Sequence, residues 1–312
     1  MPTVAATTLL ERCGPQRADE AFMAAQRADP RGRYLMFCDL KPVVMATAEP
    51  GASTSLRWLS RAEVAQLGLS IDDALFLGVS KDDGTPHLAL ALSDHRAKSL
   101  PGAVQFLRPA VDLRTLAMQG ALSAEEQSLA GQARALAQWH ENQKFCGKCG
   151  ASTLTKDGGW RKKCSGCGLD WFPRTDPVVI MLVTDGERCI LAHEHRYQNK
   201  MFSTLAGFLE PGEDMEHAVR REVMEETNIK VGRVAYHSSQ PWPFPHSLMM
   251  GCIGYAESTE ITIDKNEIAE ARWFTREECR AMLERRHPEG LTAPAKHAIA
   301  NALLQSFVDG KV

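Results

Sequence analysis

This sequence predicts an α+β protein of more than one domain, on three observations. The chain has 312 residues, long for one domain and comfortable for two. Short apolar runs alternate with helical patterns through its carboxy-terminal half. Ahead of that half stand two Cys-x-x-Cys pairs, Cys146/Cys149 and Cys164/Cys167, the mark of a small metal-stapled insert. A hydrophobic content of 44% and a charged content of 24% are ordinary for a globular protein. The formal net charge of −3 argues against a protein that coats nucleic acid generally, and leaves a local basic patch open.

Residues 1–30 are rich in Ala, Arg and Thr with weak periodicity, and read as a partly ordered lead-in. They lack a basic start followed by a long apolar core, so no secretory signal is expected. No apolar run approaches the roughly 20 residues that span a bilayer. Nine cysteines without such a signal read as reduced thiols or metal ligands, so the cytoplasm is the default expectation, with no membrane partner expected from the apolar pattern. Residues 31–143 form an N-terminal domain with strand-like runs at 34–37 and 74–79 and a turn at Asp82-Asp83-Gly84. The helical pattern at 123–143 opens on Ser123, with Glu126 three residues on as a capping box. Residues 144–171 are the cysteine insert, and 172–312 the last domain. There, 177–184 and 189–193 read as two strands joined at Asp185-Gly186, and 201–205 as a third extended run. Further strands are expected at 231–237, 248–256 and 271–274, and a helix at 294–308.

The most specific stretch is GFLEPGEDMEHAVRREVMEETNI, Gly207 to Ile229. Ala218, Val219 and Val223 supply a buried stripe, and Glu222, Glu225 and Glu226 fall at i, i+3 and i+4 on one face. Like charges there repel, and the carboxy-terminal end of a helix disfavours anions. A cluster placed against both penalties calls for a cation. Oxygen ligands favour Mg²⁺ or Mn²⁺ over zinc.

The cysteine pairs are separated by fourteen residues. Four thiolates on two facing turns make a closed, structural Zn²⁺ site, one per chain, with no position left for chemistry. Between Glu141 and Arg174 seven Lys/Arg stand against three acids, with Trp160, Trp171 and Phe172 interleaved. Such a patch can hold a nucleic-acid backbone and stack a base; equally, it can be a ribbon whose lysines keep it soluble.

Residues 207–229 resemble the Nudix box, G-x5-E-x7-R-E-U-x-E-E-x-G-U, with Asn228 in place of the last glycine. Asn is the next-best residue for the left-handed conformation that ends a helix. Downstream, Ser239-Gln-Pro-Trp-Pro-Phe-Pro-His-Ser247 is similar to the signature of the NADH pyrophosphatase (NudC-type) branch of Nudix hydrolases, which also carries a four-cysteine ribbon directly before its Nudix domain. The resemblance implies a Nudix α/β/α sandwich preceded by a zinc ribbon and an N-terminal α/β domain. It implies a homodimer that hydrolyses the pyrophosphate of NAD(H) to NMN(H) and AMP, with NAD-capped RNA as a further partner. Glu222, Glu225 and Glu226 match the box's metal ligands, for more than one Mg²⁺ or Mn²⁺ per site, and Glu226 the residue that activates water. Glu267 matches a further acid near the metals, and Ala206 is placed with them. Phe208 resembles the aromatic that stacks on nicotinamide, and Phe172 takes a stacking position that is often tyrosine. Gln240, Trp242, Pro243, Phe244, Pro245, His246 and Ser247 make a stiff substrate wall, and Ala300 a small residue near the pocket. Arg221 is expected to pair with Glu213 and fix the loop-helix geometry. Two rivals stand beside this reading. One is a Nudix hydrolase of another nucleoside diphosphate derivative such as ADP-ribose; the other is a zinc-ribbon RNA-binding protein with an inactive Nudix domain.

Overall fold

The computed structural model of the chain describes residues 9–46, 52–197 and 199–312. They fall into two compact units. The amino-terminal unit runs to Arg174 and also takes in Pro243–His246; Thr175–Trp242 and Ser247–Val312 make the carboxy-terminal unit.

The amino-terminal unit comprises β1 (Leu10–Glu11), α1 (Glu20–Ala28), β2 (Arg33–Cys38), β3 (Lys41–Pro42), β4 (Trp58–Ser60), α2 (Arg61–Gln66), β5 (Leu75–Ser80) and β6 (Pro86–Leu92). Short helices α3 (Asp94–Ser99), α4 (Ala103–Phe106) and α5 (Leu113–Gln119) follow, then the long α6 (Ala124–Asn142). Its strands form one sheet in the order β1-β5-β6-β2-β3, with β4 on β2 and β2 parallel to β6. β2 sets a core on both faces: Tyr34, Met36 and Cys38 enter one cluster, Leu35 and Phe37 the other, as a period of two requires. α6 covers the second face with Leu129, Ala133, Leu136 and Ala137, and Ser123 and Glu126 close the expected capping box. The described part of the lead-in carries β1 and α1, the helix starting on Asp19, whose carboxylate accepts from two amides. Residues 1–8 lie outside the described residues.

The insert folds as a three-stranded antiparallel ribbon, β7 (Thr153–Lys156), β8 (Arg161–Cys164) and β9 (Asp170–Trp171). It is bolted to its own unit: the Trp160 indole N–H donates to the Phe76 carbonyl at 2.7 Å, and the Arg17 guanidinium lies 4.1 Å over the Trp160 ring. Gly158 and Gly159 permit that approach, since both have positive φ and a Cβ on either would strike Met23, Phe76 or Leu75.

The carboxy-terminal unit contains β10 (Asp176–Thr184), β11 (Arg188–Glu194), β12 (Leu205–Phe208), α7 (Met215–Thr227), β13 (Val231–Trp242), β14 (Ser247–Ala256), β15 (Ile268–Thr275), α8 (Arg276–Leu283) and α9 (Ile299–Val308). The sheet runs β13-β14-β10-β11-β15 with β12 on β10; β10 and β14 are parallel. β10 alternates strictly. Val179, Met181 and Val183 pack with α7, while Ile180 and Leu182 face the cluster of α8 and α9. Helices on both faces make the expected α/β/α sandwich. α8 is an addition to the sequence reading, and its sign was present: Thr275 and Glu278 form a capping box.

α7 ends as the sequence predicts, with Asn228 at φ +59° and ψ +21° and its N–H bonded to the Met224 carbonyl at 2.9 Å. Asn228→Ala should therefore lower the stability of the protein by about 1 kcal/mol, and Asn228→Gly should stay within about 0.5 kcal/mol of the parent, read by denaturant unfolding.

Candidate active site

α7 starts on Asp214, which accepts the His217 amide, and buries Ala218, Val219 and Val223 in the sandwich. That anchoring turns the Glu222/Glu225/Glu226 face back over β12, where Gly207 pairs with Val179 of β10. A Cβ on Gly207 would fall inside the Glu222 carboxylate, so the first glycine of the box is a space requirement. Arg221 joins the loop to the helix. Its Nε and NH2 donate to Glu213 at 2.6 and 2.8 Å, its NH2 also to the Phe208 carbonyl at 2.8 Å, and its NH1 to Glu222 at 2.9 Å and Glu225 at 3.0 Å. The guanidinium pulls Glu213 down to about 2, and its own pKa rises in return.

Beside this hub lies a cleft of about 300 Å³ lined by Glu194, Arg196, Thr204, Ala206, Glu226 and Glu267, among others. Glu226 is 8% exposed, and its Oε2 is buried with no hydrogen-bond partner among the described residues. Burial pushes its carboxyl up to about 8, helped by the charges of Glu222, Glu267, Glu194 and Glu225. Glu222 is also raised, chiefly by burial, with Arg221 opposing. A buried carboxyl with an orphaned oxygen among other acids is a configuration that a hard divalent cation would satisfy. Glu226 and Glu267, with Ala206 alongside, line this cleft, while Glu222 is held by Arg221 and Glu225 is exposed at the rim with it. Glu194 and Thr204 were missed in the sequence. An acid ending an apolar strand was the available sign for Glu194, which sits at a bulge in β11 and accepts from Tyr197 and Arg196 at 2.7 and 2.9 Å.

The other expected residues fall in both units. Phe208 is 58% exposed in the carboxy-terminal unit and Phe172 64% exposed in the amino-terminal unit. Gln240 is buried, and both ends of its amide bond backbone at the start of α9: Nε2 donates to the His297 carbonyl and Oε1 accepts from the Ile299 amide. Trp242 and Ser247 pair across β13 and β14, and Ala300 is buried on α9. Pro243–His246 belong to the amino-terminal unit. There the Pro243 carbonyl accepts from Arg134 at 2.5 Å, Phe244 packs with the α6 cluster, Pro245 is exposed and His246 half-buried.

The four cysteine sulfurs lie within 4.8 Å of one another. Cys146 to Cys167 is 3.8 Å and Cys149 to Cys164 is 3.3 Å, close to the roughly 3.8 Å edge of a tetrahedral site with Zn–S bonds of about 2.3 Å. The Cys167 and Gly166 amides point at the Cys164 sulfur and favour its thiolate. The chemistry of the donor set fits zinc. The basic patch is another matter: Arg161 is tied to Asp157 and Asp170, Lys156 to Glu20, and Lys162 is buried with its ammonium on the His140 carbonyl.

A NUDIX domain model matches residues 174–293, a model of the NADH pyrophosphatase zinc ribbon domain matches 141–172, and one of the NADH pyrophosphatase-like rudimentary NUDIX domain matches 31–139. The NAD-capped RNA hydrolase NUDT12 of Macaca fascicularis is 35% identical, covering 96% of this chain and 72% of its own. NAD-capped RNA hydrolase NudC of Mycobacterium bovis is 36% identical over 96% of this chain and 94% of that one. The mitochondrial NAD(P)H pyrophosphatase NUDT13 of Mus musculus is 32% identical over 92% and 87%.

Two outcomes follow from the geometry. Gly207→Ala should displace Glu222 and lower kcat/KM of any metal-dependent turnover at least about a hundredfold, with the far-ultraviolet dichroism retained. The second concerns pH. The folded pKa of Glu226 lies above the ordinary 4.5, so protonation stabilises the fold; that contribution is complete below about pH 4.5 and is lost as pH rises through about 8. Thermal melts in magnesium- and manganese-free buffer should show wild type losing stability across this window relative to Glu226→Gln, by a few kcal/mol in order of magnitude.

Proposed function

The chain belongs to the Nudix hydrolases, in their NADH pyrophosphatase branch, and from that premise we propose that it hydrolyses the pyrophosphate of NAD(H) to NMN(H) and AMP and removes NAD caps from RNA 5′ ends. The observation that carries this is the buried Glu226 carboxylate with an unpartnered oxygen, facing an acid-lined cleft of about 300 Å³. More than one Mg²⁺ or Mn²⁺ bound at Glu222, Glu226 and Glu267 would offset the charge of the diphosphate and acidify water there. Glu226 takes the proton of the attacking water. The water oxygen bonds to one phosphorus, the bridging P–O bond breaks, and each product keeps one phosphate. Arg221, already shared between Glu213, Glu222, Glu225 and the Phe208 carbonyl, positions the acids and stays off the substrate. Phe208 and Phe172 each offer an exposed ring face to a base or nicotinamide. Trp242 and Ser247 meet the substrate from the strand ends, while Gln240 and Ala300 act by seating α9. Zinc on the cysteine quartet and a homodimer of this chain complete the reading, the first supported by the sulfur geometry and the ribbon match, the second by the branch resemblance.

A chromatographic product assay tests it. Protein with Mg²⁺ or Mn²⁺ receives NADH, NAD⁺, ADP-ribose and a short NAD-capped RNA in parallel. NMN(H) with AMP, and NMN with 5′-monophosphate RNA, are expected, and Glu226→Gln should lower each rate by about 10² or more. Cleavage of ADP-ribose alone would keep the chemistry and remove the substrate assignment. RNA retention on a filter with no cleavage by wild type would favour the binding-protein rival.

A further inference from the structure

Register divides the cysteine ribbon into two faces. Lys162 stands opposite Trp171 and two residues from Cys164, so these three share one side. That side is the inner one: Cys164 and Lys162 are buried, and the Lys162 ammonium bonds the His140 carbonyl of α6. Leu154 pairs with Lys163 and Lys163 with Asp170, which puts these three on the outer face. Phe145 pairs with Ser152, two residues before Leu154, and Ser152 meets the Ser165 hydroxyl at 3.1 Å, so they join the same face. Phe145 is 65% exposed and Leu154 53%, and Ser152, Lys163 and Ser165 are exposed with them.

The charges sort in the same way. Six cations lie within residues 144–171, and three are committed: Lys156 to Glu20, Arg161 to Asp157 and Asp170, and Lys162 inward. Lys144, Lys148 and Lys163 are exposed and make no ion pair among the described residues, and both acids of the insert are held by Arg161. Lys163 lies on the outer face itself, while Lys144 and Lys148 flank Phe145 along the chain. The face thus offers an open aromatic ring, a leucine, hydroxyls and unpaired ammonium groups, with no free acid among them. Lysine and serine are depleted from protein–protein interfaces, whereas ammonium groups around an exposed ring match the phosphates and bases of a single strand.

We propose that this outer face holds the single-stranded RNA body of a capped substrate, with Phe145 stacking on a base and Lys163, Lys144 and Lys148 meeting phosphates. The inference rests on the cap-removal reading above. A free dinucleotide has no such body, so the face serves one substrate class and leaves the hydrolysis of NADH untouched.

The test compares wild type, Phe145→Ala and the combined variant Lys144→Gln, Lys148→Gln, Lys163→Gln. Kinetics are run on NADH and on a short unstructured NAD-capped RNA, and binding is titrated with the same RNA carrying a 5′-monophosphate. Expected is a KM for capped RNA raised about fivefold or more in Phe145→Ala and about tenfold or more in the lysine variant at low salt, with kcat on both substrates and KM for NADH within about twofold of wild type. The dependence of log Kd on log salt should become shallower by about 2 in the lysine variant, because each phosphate contact on a single strand contributes about 0.7. Zinc content equal to that of wild type marks the ribbon as intact in both. Wild-type KM and salt dependence in both variants overturn the proposal and leave the assigned hydrolysis standing. Equal losses on NADH and capped RNA overturn it as well, since they report damage common to both substrates. A variant that changes oligomeric state in light scattering without changing RNA affinity reassigns the face to a second copy of this chain. If wild type cleaves NADH and leaves capped RNA intact, the cap-removal assignment fails, and the binding titration decides the face by the same criteria.

Discussion

Three carboxylates and one carbonyl share a single guanidinium at the heart of the carboxy-terminal unit, and the acid helix is possible because of it. Arg221 reaches Glu213 on the loop, Glu222 and Glu225 on its own helix, and the Phe208 carbonyl at the end of β12. Arginine alone has a fork wide enough for this, since lysine offers one point charge. With Glu213 ionised and paired, the loop from β12 to α7 has a fixed exit, and the helix can lay Glu222 over Gly207 without a side chain in the way. The charge is not fully balanced. Arg221 contacts Glu222 and Glu225, and Glu226 is left buried beside the charges of other acids. Burial raises its pKa first and the surrounding acids add to it, and its Oε2 has no hydrogen-bond partner among the described residues. The fold therefore supports one ionisable group under strain, and the rest of the sandwich holds it there.

That division explains what could be read in the sequence and what could not. Strands β10 and β11, the helix α7 and its Asn228 cap follow from local rules: period two, period 3.6, and a residue that tolerates positive φ. The three box glutamates were legible because their spacing alone sets a shared face. Thr204 was not, because it reaches the cleft only once β11 and β12 lie side by side, and Glu194 offered only the local sign of an acid ending an apolar strand. The short helices α3, α4 and α5 escaped for a different reason. Each spans at most seven residues, too few for a helical period to emerge from a stretch that reads as strands and turns.

The ribbon shows how composition misleads when pairing is invisible. Its cations suggest an electrostatic footprint for a polyanion, yet Arg161 serves Asp157 and Asp170, Lys156 serves Glu20, and Lys162 is buried. Trp160, an apparent stacking platform, spends its N–H on Phe76 and its ring face on Arg17. Trp160 and Lys162 hold the ribbon to its own unit, while Arg161 pairs within the ribbon. Exposed Phe145 and Phe172 keep open ring faces, so a role in stacking survives on fewer residues than the sequence offered.

A similar split runs through the proline-rich stretch after β13. Gln240 uses both ends of its amide to seat α9, and Pro243 and Phe244 pack against α6, where a Cβ on Gly131 would strike the Pro243 ring. A stiff segment is suited to this, because proline has already lost the backbone freedom that ordering would otherwise remove. Its rigidity thus has a mechanical use that is independent of any ligand. The signature that points to one branch of a family is in part a packing signature. A motif can mark a substrate reliably while only a minority of its residues touch it, because the others fix the frame that the minority needs.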